Sequence, residues 1–260
     1  MATILTIEAK MAYDFEAAAD LLLQVELARV AGQDVREDRL FTTPVNDFTR
    51  VPAEQAFGTR AWMQAEGRFE ATYRATVAID RPDPGFESLT ADPPRALTGE
   101  ATGFLMPSRY CPSDEFEAFV SAEFAGLSGG PLILAIRDWI GTHFTYVAGV
   151  STAATTARES FVQRRGVCRD YAHVMVALAR AAGIPARVAS GYAPRVDPPD
   201  FHLVAEVWLE DAWHLVDPTG MASASELALV GVGRDAADVS FLTSYGLATL
   251  VSQTVAVAAG

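Results

Sequence analysis

The chain has 260 residues, half of them hydrophobic, with 20 Lys and Arg against 33 Asp and Glu and a formal net charge of −13. That is enough for one large or two ordinary domains with a sizeable core, and it argues against bulk disorder. So acidic a chain repels phosphate backbones and anionic lipid, so neither nucleic acid nor a membrane surface is an expected partner.

In chain order, the opening residues lack the basic flank and apolar run of a signal peptide, and no 18-residue uncharged apolar stretch follows. The first 106 residues read as β-rich. Residues 20–30 suit strand or helix; strand is preferred because Gly32 and Asp34 follow as turn residues. Residues 69–79 alternate β-branched and aromatic residues with polar ones, the pattern of a half-buried strand. Short strands between Gly, Pro and Asp clusters predict a sandwich-like domain over residues 1–106. Pro and Gly punctuate residues 81–85 and 92–94, and Pro107 and Pro112 flank a further break, so the boundary falls near residue 107. From Ser113 the periods become helical: an N-cap followed by Phe116, Phe119 and Val120, then Ile133, Ile136 and Ile140 with Trp139 on a nearby face.

The informative segment is 165–185. After Gly166 it reads as a helix with Tyr171, Val174, Met175, Leu178 and Ala182 on one stripe, ended by Gly183 and Pro185. Cys168 then lies in the first turn, where unpaired N–H groups and the helix dipole favour a thiolate. A packed free cysteine would look the same in sequence. His173 is five residues on and points about 140° away, so it reads as a core histidine. His202 opens an alternating strand over residues 201–209, a turn falls at 210–212, and residues 213–217 return. Such a hairpin sets Asp217 beside His202, where a carboxylate would fix the imidazole tautomer and leave the other nitrogen for a thiol. His214 faces the other side of its strand. Glu206 reads as a simple cross-strand charge, with support of His202 as the alternative. A helix-start Cys, a strand His and an Asp on the next strand have the order of nucleophile, base and orienting carboxylate.

These residues resemble the bacterial transglutaminase-like domain proteins of the papain-like superfamily. The resemblance lies in Gly166-Val-Cys-Arg-Asp-Tyr-Ala-His173, Gly183-Ile-Pro-Ala-Arg187, Ser190-Gly-Tyr192, Asp200-Phe-His202 and Trp213-His-Leu-Val-Asp-Pro-Thr219. Residues 106–112, 138–146 and 233–239 look like the same group's lead-in and tail. Where many relatives continue the base-bearing strand as His-Ala-Trp, this chain has His202-Leu-Val204. The resemblance implies an α+β fold: a Cys-bearing helix packed on an antiparallel sheet over residues 107–260, behind the N-terminal β-sandwich-like domain. It puts the family's nucleophile on Cys168, its base on His202 and its third member on Asp217, with no cofactor and no metal.

The expected activity is cysteine-nucleophile acyl transfer through a thioester, as a peptidase or amidase acting on a peptide, protein or small amide. Glutamine–amine cross-linking and an idle binding scaffold are the alternatives. Cys111 and Cys168 form no disulfide framework and no CxxC knuckle, so a cytoplasmic location with reduced thiols is expected. Exposed sandwich edges leave room for a homodimer.

Overall fold

Alternating apolar residues build the front of the molecule, as seen in the computed structural model, which describes residues 2–260. Strand β1 (Thr3–Leu23) is followed by β2 (Gln33–Thr42), β3 (Asn46–Pro52) and β4 (Thr59–Ile79). Along β1 and β4 buried side chains recur mostly at every second position, as a sheet covered on one face requires. The chain then runs through α1 (Gly99–Thr102), α2 (Glu117–Glu123), α3 (Gly129–His143), β5 (Thr145–Tyr146), α4 (Ala157–Gln163), β6 (Arg165–Gly166) and α5 (Cys168–Ala181). It closes with β7 (Ala186–Tyr192), β8 (His202–Leu209), β9 (Ala212–Val216), β10 (Ala228–Gly233), β11 (Leu242–Ser244) and β12 (Ala248–Ala259).

The fold is α+β with two antiparallel sheets. The front strands form one six-stranded sheet in the order β11–β1–β4–β2, with β12 also on β1 and β3 on β4. Its inner face packs on the second sheet: Leu5, Phe69 and Tyr73 share a core with Tyr192, Ala228 and Val230. Sheet membership crosses the expected boundary near residue 107, because β12 pairs with residues 5–15 of β1 and β11 with residues 21–23.

Of residues 20–30, expected as strand, only those up to Leu23 are strand. Beyond it, side chains and the second sheet take over the role of a neighbouring strand. The Leu27 N–H donates to the Tyr73 hydroxyl at 2.9 Å, and Gln33 Nε2 donates to Ala28 O at 2.7 Å. The Ala28 N–H donates to Leu229 O at 2.9 Å, so this apolar run is docked on β10.

The second sheet has the order β10–β7–β8–β9. Helix α5 packs on β7 and β8, and α3 and α4 cover faces that the sheet leaves free. It is therefore buried from Asp170 to Arg180, a wider burial than the single stripe expected from its periodicity. Even Arg180 is internal, donating to the carbonyls of Ala186, Met106 and Arg234. Among the described residues, no helix is long and apolar enough to cross a membrane.

Candidate active site

Cys168 is the first residue of α5, and its position is built by the residues around it. The Asp170 carboxylate, fully buried, accepts the Val167 N–H at 2.8 Å and so caps the first turn. Gly166 must be small, since a β-carbon there would run into the Asp170 side chain. The half-buried Cys168 Sγ lies 3.8 Å from the carbonyl oxygen of Phe201, which brings the helix start to the first residues of β8.

His202 opens β8 and is 1 % exposed. The β8–β9 hairpin turns through Glu210 and Asp211, both at positive φ. That conformation suits a two-residue hairpin but is unusual for these residue types. It is held from outside: the Glu210 carboxylate accepts the Thr90 N–H at 2.9 Å and its hydroxyl at 3.0 Å. The return strand delivers Asp217, whose Oδ2 lies 2.8 Å from His202 Nε2. The carboxylate is held by Thr219, whose N–H and hydroxyl donate to Oδ1 at 2.8 and 2.7 Å, and by the Ala222 N–H on Oδ2 at 2.8 Å.

Burial alone would favour the neutral imidazole. The hydrogen bond and charge of Asp217, with the neighbouring Cys168, outweigh it and push His202 up to about 10. Burial likewise opposes ionisation of Asp217, but His202 and Thr219 hold its carboxyl below the usual range. With Nε2 committed to Asp217, Nδ1 is buried and has no hydrogen-bond partner. Cys168 and His202 line one cavity of about 360 Å³, and Asp217 stands behind the ring. The three expected site residues are thus brought together, with the sulfur and the imidazole at the wall of the same cavity.

The remaining histidines have other partners. His173 is buried, accepts the Ala236 N–H at 3.1 Å and stacks on Tyr110 at 5.2 Å. Burial lowers it to about 4, against the pull of Asp235, so it is the neutral core histidine expected. His214 Nε2 bonds to Leu209 O at 3.0 Å. Glu206 does form a cross-strand pair, with Arg187 directly opposite at 2.7 Å, but the pair is buried. The parallel β5–β6 bridge sets Tyr146 beside Gly166, two residues before Cys168. Burial raises the Tyr146 phenol, and the adjacent Cys168 adds to the effect. Trp139 is instead enclosed by Phe119, Phe161 and the Arg164 guanidinium.

Sequence reading did not find Gln24, Tyr110 and Phe241, which also line the cavity. They come from segments far apart in the chain, and no local pattern marks them. Thr219 did have a signal, a hydroxyl two residues after a carboxylate, which is the spacing of an Asx-type turn.

Residues 130–218 match the family model of the transglutaminase-like superfamily. A solved structure of a candidate cysteine protease from Cytophaga hutchinsonii is 30% identical, with a TM-score of 0.94 over 100% of this chain and 91% of that one. An uncharacterized protein of Mycobacterium tuberculosis is 33% identical over 164 residues, covering 56% of this chain and 51% of that protein. One of Mycobacterium leprae is 30% identical over 145 residues, covering 52% of each. The chain spans about half the length of the curated relatives it matches.

Proposed function

The chain belongs to the transglutaminase-like superfamily, and from that premise we propose that it is a cysteine-nucleophile acyl-transfer enzyme that hydrolyses peptide or amide bonds. The observation that carries this reading is the 2.8 Å His202–Asp217 bond at a cavity shared with Cys168. In this mechanism the Cys168 thiolate attacks the amide carbonyl carbon, and the carbonyl π electrons move to oxygen. The Cys168 N–H, at the helix start, donates a hydrogen bond to the oxyanion, and the Tyr146 phenol is the proposed second donor. His202 Nδ1–H protonates the nitrogen as the C–N bond breaks, which releases the amine and leaves a thioester on Cys168. The neutral ring then takes a proton from water, whose oxygen attacks the thioester. Collapse releases the acid and restores the thiolate and imidazolium. Asp217 holds the ring and stabilises its charged form throughout.

Water is favoured as acyl acceptor because it is always present at molar excess; an amine acceptor would make the same thioester a cross-linking intermediate. A reducing compartment suits the chemistry, since oxidation of Cys168 would remove the nucleophile, so a cytoplasmic location is part of the proposal. The test is an unbiased peptide and amide library with an amine-incorporation assay beside it, run on wild type and Cys168→Ala. Hydrolysis abolished by Cys168→Ala is expected. Iodoacetamide should label Cys168 and spare Cys111, which is fully buried with its thiol pushed up to about 12. Amine incorporation in place of hydrolysis would move the reading to a transglutaminase. No turnover of any substrate, with equal labelling of the two cysteines, would leave an idle scaffold.

A further inference from the structure

The front of the molecule reaches the cavity at Cys168 through Leu242 of β11 and through a polar side chain just beyond β1. Gln24 follows the last residue of β1, and its backbone N–H donates to Phe241 O at 2.9 Å. The residue is 3 % exposed and lines the same cavity as Cys168 and His202. Its amide orientation is set by Arg60 of β4, whose Nε donates to Gln24 Oε1 at 3.1 Å. A second Arg60 nitrogen donates to the Asp238 carbonyl, tying the pair to the segment that runs on to Phe241. Because Arg60 has only donors to offer, the bonded end of the amide is the oxygen and the free end is the NH2.

That free end, Nε2, is buried and bonds to nothing in the protein. It rests over Gly231, where any β-carbon would collide with it, and Ser190 borders the same spot. Folded proteins rarely leave a buried amide donor unpaired, and this one belongs to a residue that lines the cavity. The neighbouring wall is apolar, with Phe201 and Phe241 stacked 4.5 Å apart and Val230 and Leu242 beside them. Arg169 also lines the cavity, and its buried Nε is a further donor without a partner. The ligand that fits is apolar in its side chain and carries acceptors along its backbone.

We propose that Gln24 is a specificity-determining residue whose Nε2 donates to a main-chain carbonyl on the acyl side of a neutral peptide, with that peptide's apolar side chain against Phe201 and Phe241. This rests on the reading of Cys168 as nucleophile. It gives the front sheet a part in substrate selection: the residue that follows β1 supplies the donor, and Arg60 of β4 positions it.

The test compares two alkylating reagents on the full chain, N-acetyl-dileucyl chloromethyl ketone, which has backbone carbonyls and apolar side chains, and chloroacetamide, which has neither subsite element. Two variants are used. Gln24→Glu keeps the acceptor for Arg60 and loses the donor, and Gln24→Met keeps the volume alone. In both, alkylation of Cys168 by the dileucyl reagent should slow about tenfold, the factor a single neutral hydrogen bond supplies. The chloroacetamide rate should stay within about twofold, as expected when the thiol itself is untouched. A diglycyl reagent should show the same dependence on Gln24 while reacting more slowly overall. Equal slowing of both reagents, or no slowing of the dileucyl one, overturns the proposal. So does a wild type whose preference for the dileucyl reagent is no greater than that of free N-acetylcysteine. Failure of the nucleophile reading is separate: Cys168 would then react with chloroacetamide no faster than N-acetylcysteine does.

Discussion

Burial of His202 opposes its charge, and Asp217 and Cys168 overturn that preference, carrying the ring up to about 10. A pKa raised above its ordinary value of 6.5 means that this contribution to stability is fully present below 6.5 and is lost as pH rises through about 10. Asp217 has the opposite sign: its lowered pKa contributes above its ordinary value of 3.8 and is lost as pH falls through the folded value. The charged pair therefore spans the neutral range, and the proposed acid, the imidazolium, persists well into alkaline pH. Asp217→Asn removes the charge that sustains it. Its kcat/KM should fall about 10²-fold or more, the scale of positioned acid–base catalysis, and the alkaline limb of the pH profile should move from near 10 towards neutrality. An alkaline limb that stays put would show that Asp217 does not set the ring's protonation. The places of Cys168, His202 and Asp217 were legible in the sequence because each sits at a recognisable point, a helix start, a strand start and the end of the return strand. That of Gln24 was not, because its meaning comes from Arg60 and Gly231, residues brought to it only by the fold.

At the scale of the element, the β7–β8 pairing contains a buried ion pair. Arg187 and Glu206 face each other in register at 2.7 Å, with side-chain exposures of 4% and 6%. Arg187 also donates to Gln55 Oε1 at 2.7 Å and lies 4.0 Å over the Trp213 ring. Exposed strand-face charges interact weakly, whereas breaking a buried pair strands a charge and costs about 3–5 kcal/mol. Glu206→Gln should therefore lower stability by about that amount in urea unfolding, with Glu100 at 3.9 Å left as a distant, half-exposed counter-charge for Arg187. The double variant Arg187→Met/Glu206→Leu should recover most of the loss, since an apolar pair of similar volume has no charge to desolvate. A Glu206→Gln cost below about 1 kcal/mol would mean that water reaches the pair. The alternation of residues 201–209 made this strand readable, and it assigned Glu206 to a cross-strand pair. What it could not give was burial on both faces, because the cover comes from α5 on one side and from front-segment residues such as Gln55 on the other. Residues 20–30 went the other way: an apolar run that looks like strand is irregular from Gln24, since Tyr73 and Gln33 satisfy its backbone.

For the whole molecule, composition shift and proline spacing suggest a boundary near residue 107, and the fold joins what lies on either side of it. Strand β12, at the end of the chain, runs antiparallel along β1, at its beginning, and Val255 is buried in the front core. Tyr192 of β7 reaches into the same core, and its hydroxyl donates to Val25 O at 2.8 Å. Gln33 Nε2 and Oε1 bond the carbonyl and N–H of Leu229 in β10, at 2.9 and 2.7 Å. Two domains joined only by a linker would lose these contacts separately, but here the front sheet is incomplete without the tail and β10 is incomplete without the front segment. Calorimetry should therefore give one unfolding transition, with calorimetric and van't Hoff enthalpies equal within error. Residues 107–260 expressed alone should fail to give a cooperative transition, because β11 and β12 would have no strand to pair with and would present long unpaired edges. Two resolved transitions in the full chain, or a cooperatively folding 107–260 fragment, would mean that the two sheets are coupled only by contact. Gln24 would then sit at a separable junction, and its hold on the cavity wall would be lost when the front sheet melts. One shared transition instead makes the cavity at Cys168 as stable as the molecule, since β1, β10 and the segment leading to Phe241 can open only together.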